Sequence, residues 1–235
     1  MSITEGWPKA IESRIAKLLP QDCFLCGAPA WEDLLCKACI TGLPQMPAAL
    51  CPRCALPTPD SSICGACLKQ APHFDATHAV FRYEFPLDRL VQSLKYAHRL
   101  ACAGFLGRKL TQVVLPFRPS LIVPVPLSAA RLAERGFNQA LEITRPLLRT
   151  LDVPVELAHI HRRRDTSPQA GLPWKQRAMN VRHAFECEID LTGQAVLVVD
   201  DVMTTGATLG ELARTLKAHG AERVENLVVA RALRD

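Results

Sequence analysis

Residues 195–224 read AVLVVDDVMTTGATLGELARTLKAHGAERV, and the fold follows from this stretch. Val196 to Val199 form an unbroken apolar run, the pattern of a strand buried on both faces. The run ends in two consecutive acids, Asp200 and Asp201. A Thr/Gly loop follows, then a helical pattern over Leu209–His219 and a second apolar strand over Arg223–Ala230. Free N–H groups at a helix start, with the hydroxyls of Thr204, Thr205 and Thr208, make a cradle for a monophosphate. Gly206 permits close backbone approach, and Ala207 completes the loop. The lysine of a Walker loop is missing. Two carboxylates beside an anion site are consistent if they hold a sugar diol, one of them through a metal-bound water, while the loop holds the sugar's phosphate. A receiver domain is excluded: its acid pair follows the first strand, whereas only 34 residues follow Asp201 here.

Upstream, strands and helices alternate. The pattern predicts a strand at 78–85, helices at 86–99 and 101–115, and a buried strand at 120–126. A helix over 138–150 and a strand over 153–158 follow. Such alternation means α/β architecture with a parallel sheet covered on both faces, where ligands bind beyond the carboxyl ends of the strands. The informative loops therefore follow Pro126, Ala158 and Asp200. After Pro126, Arg131 and Arg135 flank a turn at Gly136, and guanidinium groups suit bidentate phosphate contacts. After Ala158, a long basic segment over 161–185 carries Arg162, Arg163, Arg164, Lys175, Arg177 and Arg182. Long aperiodic loops in compact domains usually serve function.

Eight of the ten cysteines form C-x-x-C pairs: Cys23, Cys26, Cys36 and Cys39, then Cys51, Cys54, Cys64 and Cys67. The two halves share their internal spacing, so the module is duplicated. Paired C-x-x-C turns assemble four soft ligands, which points to two structural metal sites, zinc first and mononuclear iron as the alternative. One metal per half is preferred to a cross-braced pairing. With every position filled by thiolate, neither site is open for catalysis. Cys102 and Cys187 stand apart and read as buried free thiols.

Hydrophobic residues make up 49% and charged residues 22%, which excludes a disordered chain. No apolar run reaches the roughly 18–20 residues of a membrane span, and the N-terminus lacks a signal pattern. A cytoplasmic protein without membrane insertion is expected. The formal charge of +5 falls to about +1 once two four-thiolate zinc sites are counted. Local charge says more, because residues 131–182 hold ten Lys/Arg against five Asp/Glu, where an anionic ligand would sit.

The acid pair and TTGAT loop over 196–208 resemble the ribose-5-phosphate motif of type I phosphoribosyltransferases. RGFNQA at 135–140, T-x-x-Q at 166–169, R-x-x-N-V at 177–181 and the eight cysteines extend the likeness over nearly the whole chain. The sequence resembles the ComF family, also called GntX-like: a double zinc ribbon joined to a type I phosphoribosyltransferase domain. Ile11, Ile15, Leu18 and Leu19 at helical spacing after Pro8 predict an amphipathic N-terminal helix within 1–20, and the resemblance implies the ribbon in 21–72 and the transferase-like domain in 73–235.

It further implies two structural zinc sites, and phosphoribosyl pyrophosphate (PRPP) bound with Mg²⁺. The binding residues would be Asp200, Asp201, Thr204, Thr205, Gly206, Ala207, Thr208, Arg131 and Arg135. Asp200, Asp201 and Arg135 would be catalytic, with Arg163, Arg164, Lys175 and Arg177 in a mobile cover. The family's biology is DNA uptake in natural competence or use of external DNA, with single-stranded DNA and the uptake machinery as partners. A non-catalytic PRPP-sensing or single-stranded-DNA-binding adaptor is the alternative. An Asp used by six-oxopurine transferases is replaced here by Thr204, which speaks against hypoxanthine or guanine as acceptor.

Overall fold

The computed structural model describes residues 21–31, 33–163 and 181–233. The helix expected within 1–20 lies outside them. The chain divides into two compact units between Leu43 and Pro44.

In the first unit Cys23, Cys26, Cys36 and Cys39 gather around one centre. The Cys23 carbonyl accepts the Gly27 N–H at 2.8 Å, and Gly27 turns with φ +73°. Helix α1 (Lys37–Thr41) starts directly after Cys36.

The second unit opens with the same device. The Cys51 carbonyl accepts the Ala55 N–H at 2.9 Å, Ala55 turns with φ +56°, and helix α2 (Gly65–Lys69) starts after Cys64. An alanine in the left-handed region costs roughly 1 kcal/mol relative to glycine, and the fully buried Ala55 methyl offsets part of that. The duplication read from the cysteines is thus a duplication of backbone geometry, with one cluster per half.

The remainder is a four-stranded parallel sheet in the order β1–β6–β5–β2. Its strands are β1 (Ala76–Arg82), β2 (Leu121–Pro124), β5 (Ala195–Met203) and β6 (Arg223–Arg231). Between β1 and β2 lie α3 (Leu87–Ala97) and α4 (Leu100–Leu110). After β2 come α5 (Ala129–Arg135), α6 (Gln139–Thr144) and a 3-10 turn (Leu147–Arg149). A hairpin pairs β3 (Ile160–Arg162) antiparallel with β4 (Phe185–Cys187), and α7 (Ala207–Ala218) joins β5 to β6. Successive residues of a strand face opposite sides. Val196 and Val198 share a core with Val224, Val228, Leu209, Leu212 and Leu216. Helices α4 and α6 pack on β6 and β5, bringing buried Phe105, Leu106 and Ile143. Helix α3 packs on α4.

Cys51, Cys54 and Cys67 belong to the same core as Val196, Val198 and Leu212. The second cysteine module is therefore built into the α/β body, whereas the sequence pattern changes only near residue 73.

Two expected elements differ. The helix over 138–150 is cut at Pro146, which cannot continue it, so α6 ends and a 3-10 turn takes over. The strand over 153–158 reduces to one parallel bridge between Val155 and Ile122. The turn expected at Gly136 is present, with φ +75°, and it closes α5, a helix not expected here, which the Ser128 side chain starts by accepting the Arg131 N–H.

Candidate functional site

Beyond the carboxyl ends of β2 and β5 lies a cleft of about 430 Å³. Asp200, Asp201, Thr204, Thr208, Arg131 and Arg135 line it. Thr205, Gly206 and Ala207 line an adjoining hollow shared with Asp200, Thr204 and Thr208. The loop thus wraps the first turn of α7, with Gly206 as its N-cap at φ +80°. A methyl group on Gly206 would lie 2.6 Å from Met203 Cε and 3.6 Å from Phe74 Cζ, so an alanine there would be strained by its left-handed backbone and would press on the end of Met203. The Thr205 hydroxyl accepts the Ala207 N–H at 3.2 Å.

The acid pair is unequal. Asp201 is buried, its Oδ1 accepts the Val202 N–H at 2.7 Å, and its Oδ2 lies 2.6 Å from Lys95 Nζ. Burial works against the lysine's charge, but the Asp201 carboxylate outweighs it and holds the ammonium above its ordinary range. Asp200 is half-buried, and its Oδ1 accepts the Asp201 N–H at 2.8 Å. Burial and the neighbouring Asp201 charge push the Asp200 carboxyl up to about 7, with Lys95 opposing. A group so placed gains most from a cation or a diol donor, which would restore what burial removes. A half-buried carboxylate suits a hard cation that keeps several waters, as Mg²⁺ does.

The arginine side is held by the RGFNQ segment. The Asn138 side chain accepts the N–H groups of Ala140 at 2.9 Å and Leu141 at 3.3 Å. Its Nδ2 donates to the Val125 carbonyl at 3.0 Å, fixing α6 to the end of β2. Gln139 accepts from Arg135 Nη1 at 2.6 Å, and the Arg135 guanidinium stands 5.9 Å from the Tyr96 ring centre.

Lys95, Tyr83, Tyr96, Gln139 and Arg162 also line the cleft; sequence reasoning placed Arg162 only within the basic segment of a ligand-side loop and Gln139 only within RGFNQA, and gave the other three no place there. Lys95 carried a signal. The apolar face of α3 runs through Leu87, Leu90, Val91 and Leu94, and a lysine four residues after Val91 falls beside that stripe. Of the basic segment, Arg162 reaches the cleft, 5.6 Å from the Phe185 ring centre. Arg163 instead pairs with Glu186 and does not line the cleft. Arg164, Lys175 and Arg177 lie outside the described residues.

The cysteine clusters suit a four-thiolate metal. All four sulfurs of each lie within 4.8 Å of one another, with Cys26–Cys36 at 3.7 Å and Cys54–Cys64 at 3.5 Å. A tetrahedron with Zn–S bonds of about 2.3 Å has edges of roughly 3.8 Å. Burial raises the Cys23 thiol, but backbone N–H groups of Cys36, Cys26 and Leu25 outweigh it and bring the thiol down to about 6. N–H groups of Cys64, Cys54 and Arg53 likewise outweigh burial at Cys51, which lies at about 7. In each cluster one thiolate therefore forms near neutral pH, whereas neighbouring sulfurs and burial hold Cys26, Cys39, Cys54 and Cys67 above the ordinary thiol range, so that those protons leave as the metal binds. No helix among the described residues is long and apolar enough to cross a membrane.

Comparison with known proteins gives two domain matches: a phosphoribosyl transferase domain over residues 113–235 and a double zinc ribbon domain over 15–68. The two four-cysteine clusters are therefore zinc-ribbon sites. The chain is 36% identical over 227 residues to the DNA utilization protein YhgH of Salmonella typhimurium, covering 92% of this chain and 99% of the relative. It is 35% identical over 179 residues to competence protein F of Haemophilus influenzae, covering 72% and 78%. Identity to competence protein ComFC of Bacillus subtilis is 25% over 203 residues, covering 80% of each.

Proposed function

The chain belongs to the ComF family, a double zinc ribbon joined to a type I phosphoribosyltransferase domain, and from that premise we propose that its cleft binds PRPP with Mg²⁺. The carrying observation is the pairing, in one cleft, of an acid pair and an N-terminal helix loop. Backbone N–H groups of 205–208 and the threonine hydroxyls take the 5-phosphate. Asp200 takes a ribose hydroxyl or the magnesium shell, while Asp201, braced by Lys95, fixes the strand end. Arg131 and Arg135 take the pyrophosphate and neutralise charge as the C1–O bond breaks. Bound Mg²⁺ supplies further charge neutralisation on the pyrophosphate oxygens. Asp200 and Arg135 carry the transfer in this reading, with Asp201 as a positioning residue beside them.

The two halves of the ligand test the assignment separately. Ribose 5-phosphate affinity should fall with Asp200→Asn and barely respond to Arg131→Ala/Arg135→Ala. Pyrophosphate affinity should do the reverse. If both halves respond alike to both sets, the cleft is not divided in this way.

Relatives named for DNA utilization and competence support a role in taking up or using DNA. One observation favours direct contact: Tyr96 is 73% exposed beneath the Arg135 guanidinium at the cleft. An exposed ring beside arginines suits a base and its phosphate on a single strand. Tyr96→Ala should then weaken single-stranded DNA binding about fivefold or more. Unchanged binding removes the cleft mouth from the DNA path.

A further inference from the structure

One buried side chain joins the second zinc ribbon to the phosphate loop. Arg231 ends β6 in register with Met203 of β5 and is 2% exposed. Its Nε donates to the Cys54 carbonyl at 2.8 Å. Its Nη1 donates to the Met203 carbonyl at 3.0 Å, to the Ala232 carbonyl at 2.8 Å and to the Thr204 carbonyl. Cys54 supplies a metal ligand, and Thr204 opens the loop. A second link runs parallel to the first. Phe74 lies in one core with Cys51, Cys54, Cys67 and Leu209, and its ring edge is 3.9 Å from where a methyl on Gly210 would stand.

A guanidinium is planar and rigid, so acceptors on its two sides are fixed relative to each other. Moving the Cys54 carbonyl would strip a buried charged donor of an acceptor, which is costly. The guanidinium would follow the carbonyl, and the Met203 and Thr204 carbonyls would follow the guanidinium. The C-x-x-C turn at 51–54 is fixed chiefly by its metal, because small cysteine modules take their folding energy from binding.

We infer that Arg231 is a positioning residue through which zinc at Cys51, Cys54, Cys64 and Cys67 sets the phosphate loop, so that zinc there and an anion at 204–208 favour each other. The affinity part rests on the phosphate-loop reading above; the mechanical part does not. Coupling of this kind is reciprocal. The ribbon's second half is then part of the ligand site's support as well as a stabilising module.

Two measurements on the full chain test this. The first is hydrogen exchange over 203–209, with zinc loaded and with the second zinc removed by chelator. Exchange should accelerate about tenfold or more there, while the amides of 196–199 in the same strand change little. Arg231→Lys should show the fast loop with both zincs still bound. Emptying the first site by Cys26→Ser should leave 203–209 unchanged. The second measurement is zinc retention at the second site against a chelator, with ribose 5-phosphate as the probe. The probe should tighten retention about tenfold in the wild type and less than about twofold in Arg231→Lys. Unchanged loop exchange on loss of the second zinc overturns the inference, as does equal acceleration throughout the β5–α7 segment. If ribose 5-phosphate fails to bind the wild type, the phosphate reading falls, and the exchange result alone decides the coupling.

Discussion

Lys95 Nζ lies 2.6 Å from Asp201 Oδ2, so the inner acid of the pair is neutralised from α3 before any ligand arrives. That division of labour leaves Asp200, the more exposed of the two acids lining the cleft, to meet a ligand. Replacing Lys95 by Met leaves a buried carboxylate without its counter-ion, which costs about 3–5 kcal/mol. Urea unfolding should show that loss, and Lys95→Met/Asp201→Leu should recover much of it. A loss below about 1 kcal/mol would mean the pair is solvated like a surface bridge.

Asp200 should trade stability for function. Its folded value of about 7 lies above its ordinary 3.8, so between those values the folded state binds more protons than the unfolded state. Its favourable contribution is complete below the lower value and is lost as pH rises through the upper one. Asp200→Asn cannot ionise and escapes the loss. We expect its melting temperature to exceed wild type by about 2–4 °C at pH 8, the gap closing toward pH 4, while magnesium-dependent ligand binding disappears. A variant less stable than wild type at pH 8 would contradict the assigned burial and repulsion.

Two glycines separate loop function from packing. Gly206→Ala forces a left-handed alanine against Met203 Cε, costing about 1–2 kcal/mol; ribose 5-phosphate affinity should drop about tenfold or more. At Gly220, with φ +98°, the added methyl would meet the backbone of Thr192 at 2.8 Å (N) and 2.9 Å (Cα). Gly220→Ala should therefore destabilise at least as much, about 2 kcal/mol, with ligand affinity retained. Loss of affinity in both variants would show that stability alone governs binding.

Gln139 orients Arg135 through a 2.6 Å hydrogen bond. Gln139→Leu should weaken pyrophosphate binding about five- to tenfold, less than Arg135→Ala, with urea stability near wild type. Equal effects of the two substitutions would place Gln139 on the ligand itself.

Much of this was legible in the sequence because it is local. The apolar run before Asp200, the TTGAT loop and the paired C-x-x-C turns each specify backbone geometry within a few residues. Arg131 and Arg135 were found from their place after the strand ending at Pro126, although α5 was not, because its seven residues are too few for a helical period to show. Lys95 showed locally only as a lysine beside the apolar stripe of α3, and Arg162 only as one residue of a basic segment; tertiary packing brings both to the cleft. The β3–β4 hairpin escaped notice because its strands are three residues each and stand far apart in the chain. Fusion of the second ribbon with the α/β core escaped for a similar reason. Cys54, Phe74 and Arg231 meet only in the folded chain.

The most direct test is calorimetric titration of the zinc-loaded protein with PRPP, with Mg²⁺ and again with Mg²⁺ chelated. Binding that requires Mg²⁺ and vanishes in Asp200→Asn, with that variant still melting cooperatively, is the expected result. No binding at millimolar PRPP, or equal binding without Mg²⁺ and without the Asp200 carboxylate, would contradict the account.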